Sequence, residues 1–240
     1  MDYFRNIVLV AAIAGAVAGL AMTVAQQVTT VPLILKAEVY EEHGAAPAAH
    51  DRGDTASAQQ HEDEGWAPAY DFERTGFSAL ANIVTGVGLA LLLVAASELA
   101  GGIRDWRQGV FWGLAGFAVF TVAPSLGLAP ELPAMPAAEL GARQLWWVAT
   151  AASTAMALGL LVYGRSPWAV LEAIALLVAP HLIGAPQPTN YETPIPEGLH
   201  HMFVVAVVLT TLLFWLLLGG LAGLFRGRFL GAKASQACGG

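Results

Sequence analysis

The chain has 240 residues, of which 56% are hydrophobic and only 12% are charged. Ordinary soluble domains carry about 25% charged residues, so the composition argues against one. The net charge is −7, which argues against a nucleic-acid partner. The single cysteine, Cys238, excludes an intrachain disulfide.

Six apolar runs approach or reach the length needed to cross a bilayer, which is roughly 20 residues with a range of about 17–25. The runs are continuous rather than alternating, so they predict helices and not a closed barrel. We therefore predict an all-α integral membrane protein, a polytopic helical bundle of about six transmembrane helices. The runs are residues 5–25, 76–100, 108–126, 144–163, 167–184 and 201–225.

The first run follows Arg5 and resembles the start of a signal peptide. Its apolar part, residues 7–25, is longer than the roughly 7–15 residues typical of such peptides. We therefore predict an uncleaved membrane anchor.

A second, amphipathic helix is predicted after this anchor, from Pro32 to about His43. Glu38, Glu41 and Glu42 have the i, i+3 and i, i+4 spacing that places them on one helical face. Like charges this close repel unless a cation lies between them or water screens them. These carboxylates are therefore candidate metal ligands.

The next segment is acidic and His-bearing, with few aliphatic residues other than alanine, and is predicted to be a disordered outer loop. His43, His50 and His61 would form a loose tether for capturing cations there. The predicted domain organisation is an anchor with its extension (1–43), the outer loop (44–75), a five-helix membrane bundle (76–229) and a flexible tail (230–240).

Three apolar runs contain two glycines four residues apart, a spacing that lets helix backbones approach closely in lipid. We predict that these motifs are packing faces, one of them available to dock a partner helix. They are Gly15 and Gly19, Gly109 and Gly113, and Gly219 and Gly223.

The distribution of positive charge predicts the orientation in the membrane, because cytoplasmic loops are enriched in lysine and arginine. With both termini in the cytoplasm, seven of the 11 basic residues lie inside. Fourteen of the 18 acidic residues and all six histidines then lie outside or at outer helix ends. Such a surface concentrates cations, although acidic loops also serve simply to keep a surface solvated.

Histidines mark the outer ends of the last two predicted spans: His181 ends the fifth, and His200 and His201 begin the sixth. Together with a carboxylate from residues 38–42, they would supply the N and O ligands that suit divalent transition metals. The alternative is that each histidine is an interfacial residue bonded to backbone. At the inner side, Glu98 and Asp105 are expected to reach the interface or pair beside Arg104 and Arg107.

Sequence signatures of common enzymes are absent, including His-Glu-x-x-His, the Walker motif, Gly-x-Ser-x-Gly and Cys-x-x-Cys. We therefore predict that the protein is not an enzyme. Energy for uphill transport would come from a gradient, the membrane potential or another subunit.

Several short sequences resemble those of the CbtA family of predicted cobalt transporters, over residues 4 to about 229. The resemblance implies a bacterial inner-membrane cobalt transporter subunit with five spans, one fewer than counted above. It also implies a partner, CbtB, a small one-helix membrane protein. The matching stretches include Gln26-Gln27, Ala37-Glu38-x-Tyr40-Glu41, Arg143-Gln144-Leu145-Trp146-Trp147, Pro180-His181 and Ala185-Pro186-Gln187-Pro188.

The sequence thus predicts a transporter subunit that takes up cobalt or a similar divalent metal ion, with no organic cofactor. The alternatives are a membrane-embedded metal-binding accessory protein that supplies a separate transporter, and a transporter of a non-metal solute. A transporter needs a polar path through the inner half, from residues such as Thr121, Ser153, Thr154, Thr210 and Thr211. The predicted metal ligands are Glu38, Glu41, Glu42, His43, His181, His200 and His201.

Overall fold

The computed structural model of the chain describes residues 2–45 and 71–237, with side chains described for residues 3–41 and 72–228. All regular secondary structure in these residues is helical. The prediction of an all-α membrane protein is therefore confirmed. The helices are α1 (Asp2–Val28), α2 (Val31–Ala45), α3 (Asp71–Leu99), α4 (Trp106–Phe117), α5 (Ala123–Ser125), α6 (Leu140–Tyr163), α7 (Pro167–Ile183) and α8 (Glu197–Ala237), with a π-helical turn (Ala118–Val122) between α4 and α5.

Four helices in these residues are long and apolar enough to cross a membrane: Tyr3–Val28, Phe72–Leu99, Leu140–Tyr163 and Glu197–Arg228. They correspond to four of the six predicted spans. The fifth predicted span is α7, a shorter apolar helix of 17 residues. The third is the interrupted segment formed by α4, the π turn and α5.

The π turn has a local cause in Pro124, which the sequence analysis placed inside a continuous helix. Proline has no N–H to donate to the carbonyl four residues earlier, here that of Phe120, and its ring crowds that oxygen. One wider turn relieves the crowding before the helix resumes at Ala123. Sequence hydropathy does not detect such an interruption, because the residues of the π turn are apolar except for Thr121.

Helix α1 packs against both α3 and α8. Its contact surface is built from fully buried alanines, which let the neighbouring helices approach closely. Larger side chains from α3 and α8 complete the core, including Leu93, Val94, Trp215 and Leu218. Helix α4 packs against α8, and α6 packs against α7.

The glycine motifs act as packing faces, as predicted. A Cβ atom on Gly15 would lie 2.5 Å from the backbone oxygen of Gly86 on α3, so no larger side chain fits there. The motif of α4 meets that of α8, because Gly109 and Gly113 lie against the backbone of Gly219. Each of the three motifs faces a helix of the same chain, so the expectation that one is available for a partner helix is wrong.

The two ends of the bundle are distinguished here as the proximal end, where α1 begins, and the distal end, where α1 finishes. At the proximal end, Glu98 accepts hydrogen bonds from Tyr3 Oη (2.6 Å) and Arg226 Nε (2.7 Å). Arg226 also donates to the Ile103 carbonyl, and its guanidinium occupies the space beside Gly102, whose φ is +77°. This network joins α1, α3 and α8.

The network corrects an expectation about the proximal acidic residues. Glu98 pairs with Arg226 rather than with Arg104 or Arg107. Asp105 caps α4 instead, since its carboxylate accepts a hydrogen bond of 2.9 Å from the Gln108 backbone N–H. The described part of α2, the segment between α5 and α6 and the segment between α7 and α8 gather at the distal end. A second apolar cluster there comprises Ala37, Leu132, Ile195, Leu199 and Phe203.

Substitution of Gly219 by alanine should destabilise the bundle. The added Cβ would meet the Gly109 backbone oxygen and force α4 and α8 apart, at a cost of about 1–3 kcal/mol, which is typical of overpacking. The measurement is the apparent melting temperature of the purified protein in detergent. Gly88→Ala is the matched control, because a Cβ there meets nothing within 4 Å; equal melting temperatures for the two variants would contradict the packing described.

Loss of the Glu98 carboxylate should also lower the melting temperature. Glu98→Gln leaves the largely buried Arg226 without its counter-charge, which we expect to cost about 2 kcal/mol. Glu172→Gln serves as control, because Glu172 is exposed on α7. An equal loss of stability in both variants would contradict a stabilising role for the ion pair between Glu98 and Arg226.

Candidate functional site

Among the predicted carboxylate ligands, Glu38 already forms an ion pair with Arg74. Its Oε1 lies 2.5 Å from Arg74 Nη2, and its Oε2 accepts a hydrogen bond of 3.3 Å from Arg74 Nη1. Glu41 is exposed on the same helix. Both residues lie at the distal end, where α2 contacts α1 and α8.

The predicted imidazole ligands lie at the same end but have different neighbours. His200 Nε2 is 3.1 Å from the Pro130 carbonyl, which fits the alternative of an interfacial histidine bonded to backbone. His181 is exposed, with its ring edge-on to Trp146 at 5.9 Å between centroids. His201 is exposed at the start of α8.

A metal-binding cluster is not assembled from these residues. Among the side chains described, those of residues 3–41 and 72–228, no three from His, Cys, Asp or Glu lie close enough together to hold a metal ion. The side chains of Glu42 and His43, and all of His50 and His61, lie outside the described part of the chain. The predicted ligand set therefore stays a prediction.

A layer of hydrogen-bonded polar side chains crosses the helix contacts nearer the distal end. Asn82 on α3 donates to Thr23 Oγ1 (3.0 Å) and to Gln26 Oε1 (2.6 Å) on α1. Thr29, just after α1, is 3.0 Å from Thr210 on α8, measured between hydroxyl oxygens. In the sequence, Gln26 stands out only as part of a stretch that resembles the family, and Asn82 is a lone amide inside an apolar run.

A cavity of about 300 Å³ lies beside this polar layer, between α1, α3, the π turn, α6 and α8. The stacked rings of Phe120 and Trp215, 5.6 Å apart, form part of its wall. Its lining residues are Met22, Asn82, Thr85, Leu89, Phe120, Thr121, Trp147, Thr211, Phe214 and Trp215.

The cavity includes Thr121 and Thr211, two of the five residues proposed for a polar path. Ser153 and Thr154 instead donate to the Thr150 carbonyl within α6. On the proximal side of the cavity, the contacts of α1 with α3 and α8 are apolar and closely packed. The described structure thus has a polar distal half and a closed proximal half at these contacts.

Helix α6 is anchored at the distal end by two acidic residues. Glu131 pairs with Arg143 at 2.8 Å. Glu139 caps the helix, because its carboxylate accepts hydrogen bonds from the backbone N–H groups of Gly141 (2.7 Å) and Ala142 (2.6 Å). These bonds stabilise the charged form and lower the pKa of Glu139. The cap sets the start of the helix that carries Trp147 to the cavity.

These features define a class: an all-α membrane protein with several apolar spans and a half-open, mainly apolar cavity between its helices. The chain belongs to the CbtA family, whose description is probable cobalt transporter subunit, and the match covers residues 4–227. Neither a curated protein nor a solved structure matches the chain. The family describes a cobalt transporter subunit rather than an enzyme, and its name implies that the chain works with a partner.

Replacement of Glu139 by glutamine should give a pH-dependent loss of stability. The pKa of Glu139 is lowered in the folded protein, so its contribution is present above the unfolded pKa of about 4.3 and is lost as the pH falls through the folded value. We expect the melting temperature of Glu139→Gln to be below that of the unsubstituted protein at pH 7. The difference should shrink below about pH 4, whereas a constant difference at all pH values would exclude this cap as the cause.

Proposed function

We propose that this chain takes up cobalt or a similar divalent metal ion across the bacterial inner membrane, as one subunit of a transporter. The ion is captured at the outer face, which is the distal end, and both termini are cytoplasmic. The observation that supports the proposal, beyond family membership, is the half-open cavity between the helices next to the layer of hydrogen-bonded polar side chains.

Capture is assigned to the carboxylates and imidazoles that the sequence places at the distal end. In this proposal the acidic loop concentrates the ion, and the ligands come from Glu38, Glu41, Glu42, His43, His181, His200 and His201. His181 and His201 are exposed, whereas Glu38 would have to exchange Arg74 for the ion. Capture therefore involves rearrangement of the described side chains.

Passage toward the cytoplasm requires a further change, because the proximal contacts of α1 with α3 and α8 are closed by apolar packing. A small one-helix subunit of the CbtB type is the proposed partner. The membrane potential favours inward movement of a divalent ion by about 2 × 2.3 kcal/mol per 100 mV.

The closed proximal half also favours a second candidate function. In this second function, the chain is a membrane-embedded accessory protein that binds metal and supplies it to a separate transporter. Such a protein needs distal ligands but no path through its own bundle.

Uptake of radioactive cobalt separates the two functions. Cells would express the chain with and without the proposed partner, and uptake would be compared with that of His181→Ala/His200→Ala/His201→Ala. We expect uptake that depends on this chain and falls at least tenfold in the triple variant, since a first-row metal site loses its nitrogen ligands. Excess nickel and zinc would establish selectivity.

The matched control is Gln187→Ala/Asn190→Ala, which alters uncharged polar residues of the neighbouring distal loop. All forms must reach equal amounts in the membrane. Unchanged uptake in the triple variant would exclude the histidine site but keep the transporter. No uptake by the intact chain, even with the partner, would favour the accessory function.

A further inference from the structure

We propose that a groove at the distal end of the protein binds one phospholipid whose headgroup carries both a phosphate and a primary ammonium. The groove lies between the first turns of α6 and the segment that joins α5 to α6, and it has a volume of about 570 Å³. Within the described residues, none of the predicted metal ligands lines it. The proposal therefore stands apart from the proposed function and does not depend on transport.

The groove lies at the depth where a lipid headgroup meets its acyl chains. The apolar span of α6 is Leu140–Tyr163, and the groove extends along it only from Leu140 to Val148. At 1.5 Å per residue, this stretch is roughly the first 12 Å of the span. Trp147 also lines the groove, and tryptophan is enriched at the interface between membrane and water.

An ion pair supplies the polar part of the groove. Arg143 Nη2 lies 2.8 Å from Glu131 Oε2, and the two side chains are 28% and 26% exposed. Both residues line the groove. A guanidinium pairs well with phosphate, and a carboxylate accepts hydrogen bonds from an ammonium. A positive and a negative group side by side therefore match a headgroup that contains one of each.

The guanidinium of Arg143 keeps N–H groups for a second partner. Arg74 and Arg226 donate N–H groups in hydrogen bonds to their carboxylate partners. In the part of the chain that the structure describes, Arg143 instead forms its ion pair without a hydrogen bond. Because a guanidinium has five N–H donors, Arg143 can bind phosphate oxygens while it stays beside Glu131.

Apolar side chains make the ligand a lipid rather than a free phosphate or a free amine. Leu128 lines the groove from the segment before α6, and Val148 lines it from α6 itself. Val148 is 57% exposed and Leu140 is 64% exposed, so acyl chains that leave the headgroup have apolar surface to follow. The volume of the groove also falls within the roughly 300–1,000 Å³ typical of small-molecule sites.

The two charges also select among lipids. A lipid whose headgroup carries only a phosphate would bring that anion toward the Glu131 carboxylate, and like charges this close repel. A choline headgroup carries a quaternary ammonium, which has no N–H group to donate to the carboxylate. Phosphatidylethanolamine supplies both the phosphate for Arg143 and the N–H donors for Glu131, so it is the probe for this site.

Lipid binding would be measured by native mass spectrometry of the purified full chain. Phosphatidylethanolamine, phosphatidylcholine and phosphatidylglycerol with identical acyl chains would be compared. We expect phosphatidylethanolamine to bind about fivefold to tenfold more tightly than the other two. Glu131→Gln removes the charge at nearly constant size. It should weaken phosphatidylethanolamine binding about tenfold and strengthen binding of the anionic phosphatidylglycerol.

Glu192→Gln is the matched control, because Glu192 is an exposed distal carboxylate that does not line the groove. It should leave the preference for phosphatidylethanolamine unchanged. Equal binding of the three lipids by the unsubstituted chain would overturn the proposal. A preference that survives in Glu131→Gln would also overturn it, because the carboxylate would then have no part in recognising the headgroup.

A second pair of variants tests the groove without changing the ion pair, and it stays informative if Glu131→Gln proves unstable. Gln144 lines the groove and Leu145 does not, although both are exposed on the same turn of α6. Gln144→Trp should fill part of the groove and weaken phosphatidylethanolamine binding about tenfold. Leu145→Trp should leave binding unchanged. Equal binding by these two variants would show that the lipid binds elsewhere and would overturn the site.

Discussion

The close approach of helix backbones at α1 and α8 is the constraint on which the rest of this structure depends. In lipid, apolar side chains gain little from leaving the solvent, so contact depends on how closely the helices fit. Buried alanines on α1 and facing glycines on α4 and α8 provide that fit. It brings α1, α3, α4 and α8 together as one unit, and the polar groups between them are thereby held in fixed relation.

Along the contacts of α1, the chemistry changes from one end to the other. The proximal end is tied by the Glu98–Arg226 pair, and the middle is closed by small and large apolar side chains. Amides and hydroxyls replace them toward the distal end, where Asn82 bonds to α1. Buried polar groups are costly unless paired, and the Asn82 amide meets this condition by donating to Thr23 and Gln26 across the contact between α1 and α3.

Much of the fold could be predicted from the sequence, because long apolar runs and glycine spacing are local properties. The runs of α1, α3, α6 and α8, and the role of the glycine motifs as packing faces, are examples. The π turn and the partner of Glu98 could not be predicted. Arg226 is 128 residues away along the chain, whereas charge proximity in the sequence pointed to Arg104.

The candidate site, like the fold, could be predicted from the sequence only in part. The sequence placed the histidines and carboxylates at one end of the bundle, and the structure gives His181 and His200 different neighbours there. Asn82 bonds Thr23 and Gln26, which lie 59 and 56 residues away along the chain, and only three-dimensional contacts reveal that pairing. Motif spacing in the sequence identifies residues with suitable side-chain chemistry, but it does not show which other residues those side chains contact.

The wider turn before Pro124 has a geometric consequence for how the molecule is assembled. One extra residue in a helical turn rotates everything after it by about 100° relative to an uninterrupted helix. The face of α4 that meets α8 therefore does not continue into α5, and the segment after the turn contacts α6 instead. The apolar segment from α4 to α5 therefore contacts α8 before the π turn and α6 after it. The rotation at the π turn in this way links the α6–α7 pair to α8 and its neighbours.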